Sequence, residues 1–101
     1  QSIKDRKNLG TNGYLEVTIL ITPKGNIHNS PITTFRGLPI YEREEFVYGL
    51  EDEIEKTTRS FNLGNKKQEH NLIDALKIAC RKFTKEKTGK KPFTNINLVK
   101  I

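Results

Sequence analysis

The run from Asn71 to Ile101, a long helical period cut short and followed by a strand, constrains the fold of this chain more than any other. Leu72, Leu76, Ala79 with Cys80, and Phe83 recur at helical spacing, with Ile73 beside them. This pattern predicts an amphipathic helix that buries one stripe. Its opposite face carries Lys77, Arg81, Lys82, Lys85 and Lys87. Gly89 marks the end, because glycine accepts the left-handed conformation that helix C-termini favour. Pro92, after Lys90 and Lys91, cannot continue a helix. Residues 93–101 then alternate loosely and read as a strand. A strand this late in the chain must pair with one formed earlier.

The earlier strand is Gly13 to Thr22. Leu15, Val17, Ile19 and Ile21 point to one side, and Tyr14, Glu16, Thr18 and Thr22 to the other. Pro23-Lys24-Gly25-Asn26 has turn chemistry, so Ile27 to Phe35 should fold back as a hairpin partner. Pro31 lacks a ladder donor and places this second strand at an edge. Arg36-Gly37-Leu38-Pro39 closes the hairpin. Gly37 supplies a backbone angle that other residues avoid, and Arg36 reads as a surface arginine in a turn before it reads as a fork for phosphate or carboxylate.

A second helical period covers Glu42 to Phe61, with Val47, Leu50, Ile54, Thr57/Thr58 and Phe61 sharing a face. Its first half is rich in carboxylates, including Glu42, Glu44, Glu45, Glu51, Asp52, Glu53 and Glu55, which suit a solvated face and the positive end of a helix dipole. Asn62 to Gln68 forms a polar connector around Gly64. Two helices joined this briefly pair antiparallel, and the order is β-β-α-α-β. Following the directions along the chain, the last strand runs parallel to the first. The expected fold is therefore an α+β, two-layer domain. Its three-stranded mixed sheet, in order 2-1-3 with 1-2-3 as the competitor, is covered on one face by the helix pair. Residues 1–12 read as a polar linker or arm and residues 13–101 as the domain.

Composition narrows the partners. At 101 residues the chain is one domain, and a domain of this size buries roughly 65% of its unfolded surface. With 34% hydrophobic residues, the core should be thin and one sheet face left uncovered, a natural place for a partner. The net charge of +6 favours anionic partners. The absence of Met suggests a processed protein or a piece of a larger one. No apolar run approaches the roughly 20 residues that cross a bilayer, so no membrane partner is expected. One cysteine excludes an internal disulfide, and a reducing compartment, the cytoplasm, is the plain expectation.

Catalytic constellations are not apparent. His28, His70 and Cys80 have no zinc-ligand spacing, and Cys80 sits on the apolar side of its helix, where a thiol is inert. No nucleophile elbow or Gly-rich phosphate loop occurs. On these residues no catalytic position, metal ligand or cofactor is expected, and the chain alone is not expected to be an enzyme.

Three segments in this order carry a family resemblance: Gly13-Tyr14-Leu15-Glu16-Val17 with its Pro23-Lys24-Gly25 turn, then Phe35-Arg36-Gly37-Leu38-Pro39, then Thr88-Gly89-Lys90-Lys91-Pro92 before a terminal strand. The chain resembles the C-terminal domain of ribonuclease J over about residues 13–101. The resemblance implies a bacterial parent with metallo-β-lactamase and β-CASP domains that hydrolyses RNA with zinc, both internally and from the 5′ end. None of that family's metal-binding His/Asp motifs is present here, so no catalytic role carries over. It also implies a small α/β appendage, tied by a linker that Lys4 to Asn12 fits, and implicated in assembly and full activity. The partners it implies are the catalytic domains of the same polypeptide, in a homo-oligomer.

Two functions compete. As an assembly module, the domain would meet its partner through Tyr14, Leu20, Phe93 and Val99 on the uncovered sheet face. As an RNA-contacting module, it would use Arg81, Lys82, Lys85, Lys87, Lys90 and Lys91, binding weakly and without sequence preference through phosphates. Basic residues in a helix's last turn also complement its dipole. A free-standing basic nucleic-acid-binding domain is the alternative outside the family. It is weakened by the lack of a KH-type loop or RRM-type aromatic motif.

Overall fold

The structure, a computed structural model, describes residues 12–61 and 66–101. The polar arm therefore lies outside the described residues except for Asn12, and so does the part of the connector that contains Gly64.

Strand β1 (Tyr14–Ile21) is followed by β2 (Ile27–Arg36), helix α1 (Arg43–Thr58), helix α2 (Lys66–Thr88) and β3 (Phe93–Lys100). The sheet order is β2-β1-β3, with β1 antiparallel to β2 and parallel to β3. This is the mixed three-stranded sheet in the favoured order, with the most apolar strand at its centre. Leu15, Val17, Ile19 and Ile21 are buried in alternation along β1. They meet Phe46, Leu50 and Ile54 of α1, Leu72, Leu76 and Cys80 of α2, and Ile96 of β3 in one core.

Pro31 acts as its chemistry requires, in a strand at the sheet edge. The β1–β2 register breaks between Thr18 and Leu20, which pair with Ile32 and His28. Asn29, Ser30 and Pro31 thus stand opposite Ile19 alone, and Asn29 takes a φ of 58°, a conformation asparagine tolerates better than most residues. Gly37 and Gly89 also have positive φ, 67° and 80°, as expected of the residue that ends the hairpin and the one that stops α2.

The helices differ from expectation in detail. The α1 stripe is Phe46, Leu50, Ile54 and Thr58, and Val47 is only partly buried at its margin. Two rings determine this. Phe46 packs edge-on to Phe35 with centroids 5.6 Å apart, and 5.5 Å from Phe83 of α2. Gly49 lies beneath the same cluster, since a Cβ there would come within 2.6 Å of Phe83 Cζ. Helix α2 starts at Lys66, earlier than the apolar period signals, because its first turn holds only polar residues that propagate a helix without facing the core. The buried hydroxyls of Thr58 and Thr84 donate to the carbonyls of Ile54 and Cys80 at 2.7 and 2.8 Å, so neither is left unsatisfied.

Candidate functional site

Both helices lie against one face of the sheet, and the other face is uncovered among the described residues. Parallel pairing sets side chains in rows across it: Tyr14 beside Phe93, Glu16 beside Asn95, Thr18 beside Asn97, Leu20 beside Val99. Strand β2 adds Arg36 beside Tyr14, Thr34 beside Glu16 and Ile32 beside Thr18. The four residues expected at an interface are therefore on one face, two at each end of β1 and β3. The Tyr14 and Phe93 rings stack, 6.1 Å apart and 12° from parallel. Phe93 is 46% exposed, Val99 41% and Ile32 57%, which leaves apolar surface open at both ends of the face.

Between these ends lies a polar centre that periodicity alone did not single out. Asn95 Nδ2 donates to Glu16 Oε2 at 3.0 Å and Asn97 Nδ2 to the same oxygen at 3.2 Å. Asn97 Nδ2 also reaches Thr18 Oγ1 at 3.3 Å. Hydrogen bonds from Asn95 and then Asn97 hold the Glu16 carboxyl below the ordinary glutamate range, because both stabilise its charged form. Burial, and then the neighbouring Glu16 charge, push the Tyr14 phenol up. The outward alternation in β1 and β3 contained this cluster, but only the register shows that Glu16, Asn95 and Asn97 meet.

The basic residues do not gather into one patch. Arg81, Lys82, Lys85, Lys87 and Lys91 are exposed and Lys90 is half-buried. Helical spacing sets Lys77, Arg81 and Lys85 along one outward line. Arg81 and Lys91 share a hollow with Asp74, Ile78, Phe93 and Thr94 at the start of β3. Lys87 belongs elsewhere, with its Nζ 5.6 Å from the centre of the Phe83 ring. The Lys90 N–H donates to Thr88 Oγ1 at 3.1 Å, closing the turn after α2. Arg36 is exposed beside Tyr14 and Glu16.

Among the described residues, no three of His, Cys, Asp and Glu converge as a metal ion requires, so the zinc implied for the parent has no fitting ligand set here. Cys80 is buried, and burial first, with the Glu53 charge second, pushes its thiol up to about 12. No helix among the described residues is long and apolar enough to cross a membrane.

Fold and surface together define a small two-layer α+β domain with one open sheet face, in which polar hydrogen bonding separates two apolar ends. The chain belongs to the ribonuclease J C-terminal domain family, whose model matches residues 1–100. This membership associates it with a ribonuclease J-like parent, an RNA-degrading enzyme. Comparison with curated proteins gave no match.

Proposed function

We propose that this domain is a non-catalytic assembly module of a ribonuclease J-like enzyme, holding subunits together while the zinc-dependent cleavage of RNA takes place in other domains of the polypeptide. The observation that carries the reading is the open sheet face, with Tyr14, Leu20, Phe93 and Val99 at its ends. A lasting contact buries more than about 1,000 Å² in total. Exposed apolar ends suit such a contact, and the Glu16 carboxylate between them already accepts hydrogen bonds from Asn95 and Asn97. The test compares the parent enzyme with and without these residues by light scattering coupled to size exclusion. Loss of the higher oligomer on truncation supports assembly, and an unchanged oligomer contradicts it.

The line of Lys77, Arg81 and Lys85 favours a second reading, weak RNA contact through phosphates. Exposed, closely spaced lysines and arginines release counterions on binding a polyanion, so affinity should fall steeply with salt. A cytoplasmic setting agrees with an RNA-degrading parent.

A further inference from the structure

Strand β3 lies at the rim of the sheet, and among the described residues its outer edge lacks the protection found at the other rim. Strand β2 carries Pro31, a positive-φ Asn29 and a broken register, devices that discourage edge-to-edge pairing. Strand β3 runs through Phe93-Thr94-Asn95-Ile96-Asn97-Leu98-Val99 with no proline and no charge, reaching Lys100 only at its end. Its backbone polarity is fixed by two bonds to β1: the N–H of Phe93 donates to the Gly13 carbonyl and that of Ile101 to the Ile21 carbonyl, both at 3.0 Å. Alternation then turns the N–H and C=O groups of Thr94, Ile96 and Leu98 outward.

The side chains on this edge read the same in both directions. About Ile96 the open face runs Phe93, Asn95, Asn97, Val99: apolar, amide, amide, apolar. We infer that β3 pairs antiparallel with β3 of a second copy about a two-fold axis at Ile96, joining two three-stranded sheets into one of six strands. This rests on the assembly reading and specifies its contact.

Three features select a second copy and this register. The outward groups belong to even-numbered residues, so only pairings that set even residues opposite each other form the ladder. Centring on Ile96 sets Ile96 opposite Ile96, and Thr94 opposite Leu98. Centring on Asn97 also satisfies the backbone, but it sets Asn95 against Val99. The Ile96 register instead places each Phe93 opposite the other copy's Val99 and each Asn95 opposite its Asn97. The exposed ends then lie side by side, and a row of Tyr14, Phe93, Val99 and Leu20 crosses four strands.

The helix layer is self-complementary about the same axis. Lys100 Nζ lies 2.8 Å from Glu69 Oε1, so the end of β3 adjoins the start of α2 and the two run antiparallel. Four strand residues from Lys100 back to Ile96 span about 13 Å, or about nine helical residues, which brings the axis near Ile78. Ile78 is 61% exposed. Asp74 lies one turn before it, and Arg81 and Lys82 one turn after. An antiparallel copy sets each acid beside the other copy's bases.

The experiment is sedimentation velocity of this chain with disulfide trapping. Mixing a Phe93→Cys copy with a Val99→Cys copy should give a covalent heterodimer on mild oxidation, since facing residues of a non-hydrogen-bonded pair have Cα atoms about 4.5 Å apart, within disulfide range. Asn95→Cys mixed with Val99→Cys should not. Thr94→Pro removes an outward N–H while leaving the β1 ladder intact, and should weaken dimerisation about tenfold or more. Val99→Lys, at an exposed site, should do the same if the proline variant fails to fold. A folded Thr94→Pro that dimerises as wild type, or trapping through the 95–99 pair, overturns the pairing while leaving assembly standing. A wild-type chain that stays monomeric overturns both.

Discussion

The Tyr14 ring stacks on the Phe93 ring across the first rung of the β1–β3 ladder, with centroids 6.1 Å apart and planes 12° from parallel. Through it, the chain's last strand joins its first at the point where the Phe93 N–H meets the Gly13 carbonyl. The pair has a structural role and also exposes aromatic surface at one end of the open face. A double-mutant cycle with Tyr14→Ala and Phe93→Ala should give a coupling of about 0.5–1 kcal/mol in urea melts. Additive losses would mean that the rings do not support each other.

Glu16 gives the open face a pH dependence. Its carboxyl is held below the ordinary value of 4.5 by Asn95 and Asn97. As pH falls, the unfolded chain therefore takes up a proton before the folded one does, and acid lowers stability. The contribution of Glu16 is full above the ordinary value and is lost as pH falls through it toward the depressed one. Chemical denaturation should show wild type more stable than Glu16→Gln at neutral pH, with the gap closing as pH falls below the ordinary carboxylate value of 4.5. A constant gap would contradict this account.

Gly49 should resist the usual helix-stabilising substitution. Alanine gains about 1 kcal/mol of helix propensity, but its Cβ would lie 2.6 Å from Phe83 Cζ, and Phe83 is held against Phe46. Displacing a packed ring typically costs about 1–3 kcal/mol. Gly49→Ala should therefore lower the melting temperature, and a rise would show that the ring moves freely.

Cys80 should be unreactive in the folded chain. Burial pushes its thiol up to about 12, which leaves almost no thiolate near neutral pH. Thiol-reactive dye at pH 8 should label it only as fast as the chain unfolds, and rapid labelling without denaturant would contradict the burial.

The RNA reading predicts weak, strongly salt-dependent binding of a single-stranded oligonucleotide. Lys77→Glu, Arg81→Glu and Lys85→Glu together should abolish it at low salt. Unchanged affinity in fluorescence anisotropy would remove RNA contact through these residues.

The strand order was legible in the sequence because two local facts agreed. Alternating Leu15, Val17, Ile19 and Ile21 required a central strand, and Pro31 confined its neighbour to an edge. The residues that Gly37 and Gly89 needed to be were equally legible from turn chemistry. Phe46 was not: within α1, both Phe46 and Val47 fit a helical stripe, and only the rings of Phe35 and Phe83, distant in sequence, bring Phe46 into the core. The Glu16–Asn95–Asn97 cluster was hidden for a related reason. Its members stand 79 and 81 residues apart, and register is a tertiary property. The scatter of the basic residues, with Lys87 over Phe83 and Arg81 by β3, likewise depends on where each turn of α2 faces.

Sedimentation equilibrium of the chain over a wide concentration range tests the assembly account most directly. The account predicts a reversible monomer–dimer equilibrium that shifts toward monomer when Phe93, at the open end of the sheet, is replaced by lysine. A single monomeric species at every concentration, with the fold intact by circular dichroism, would contradict it.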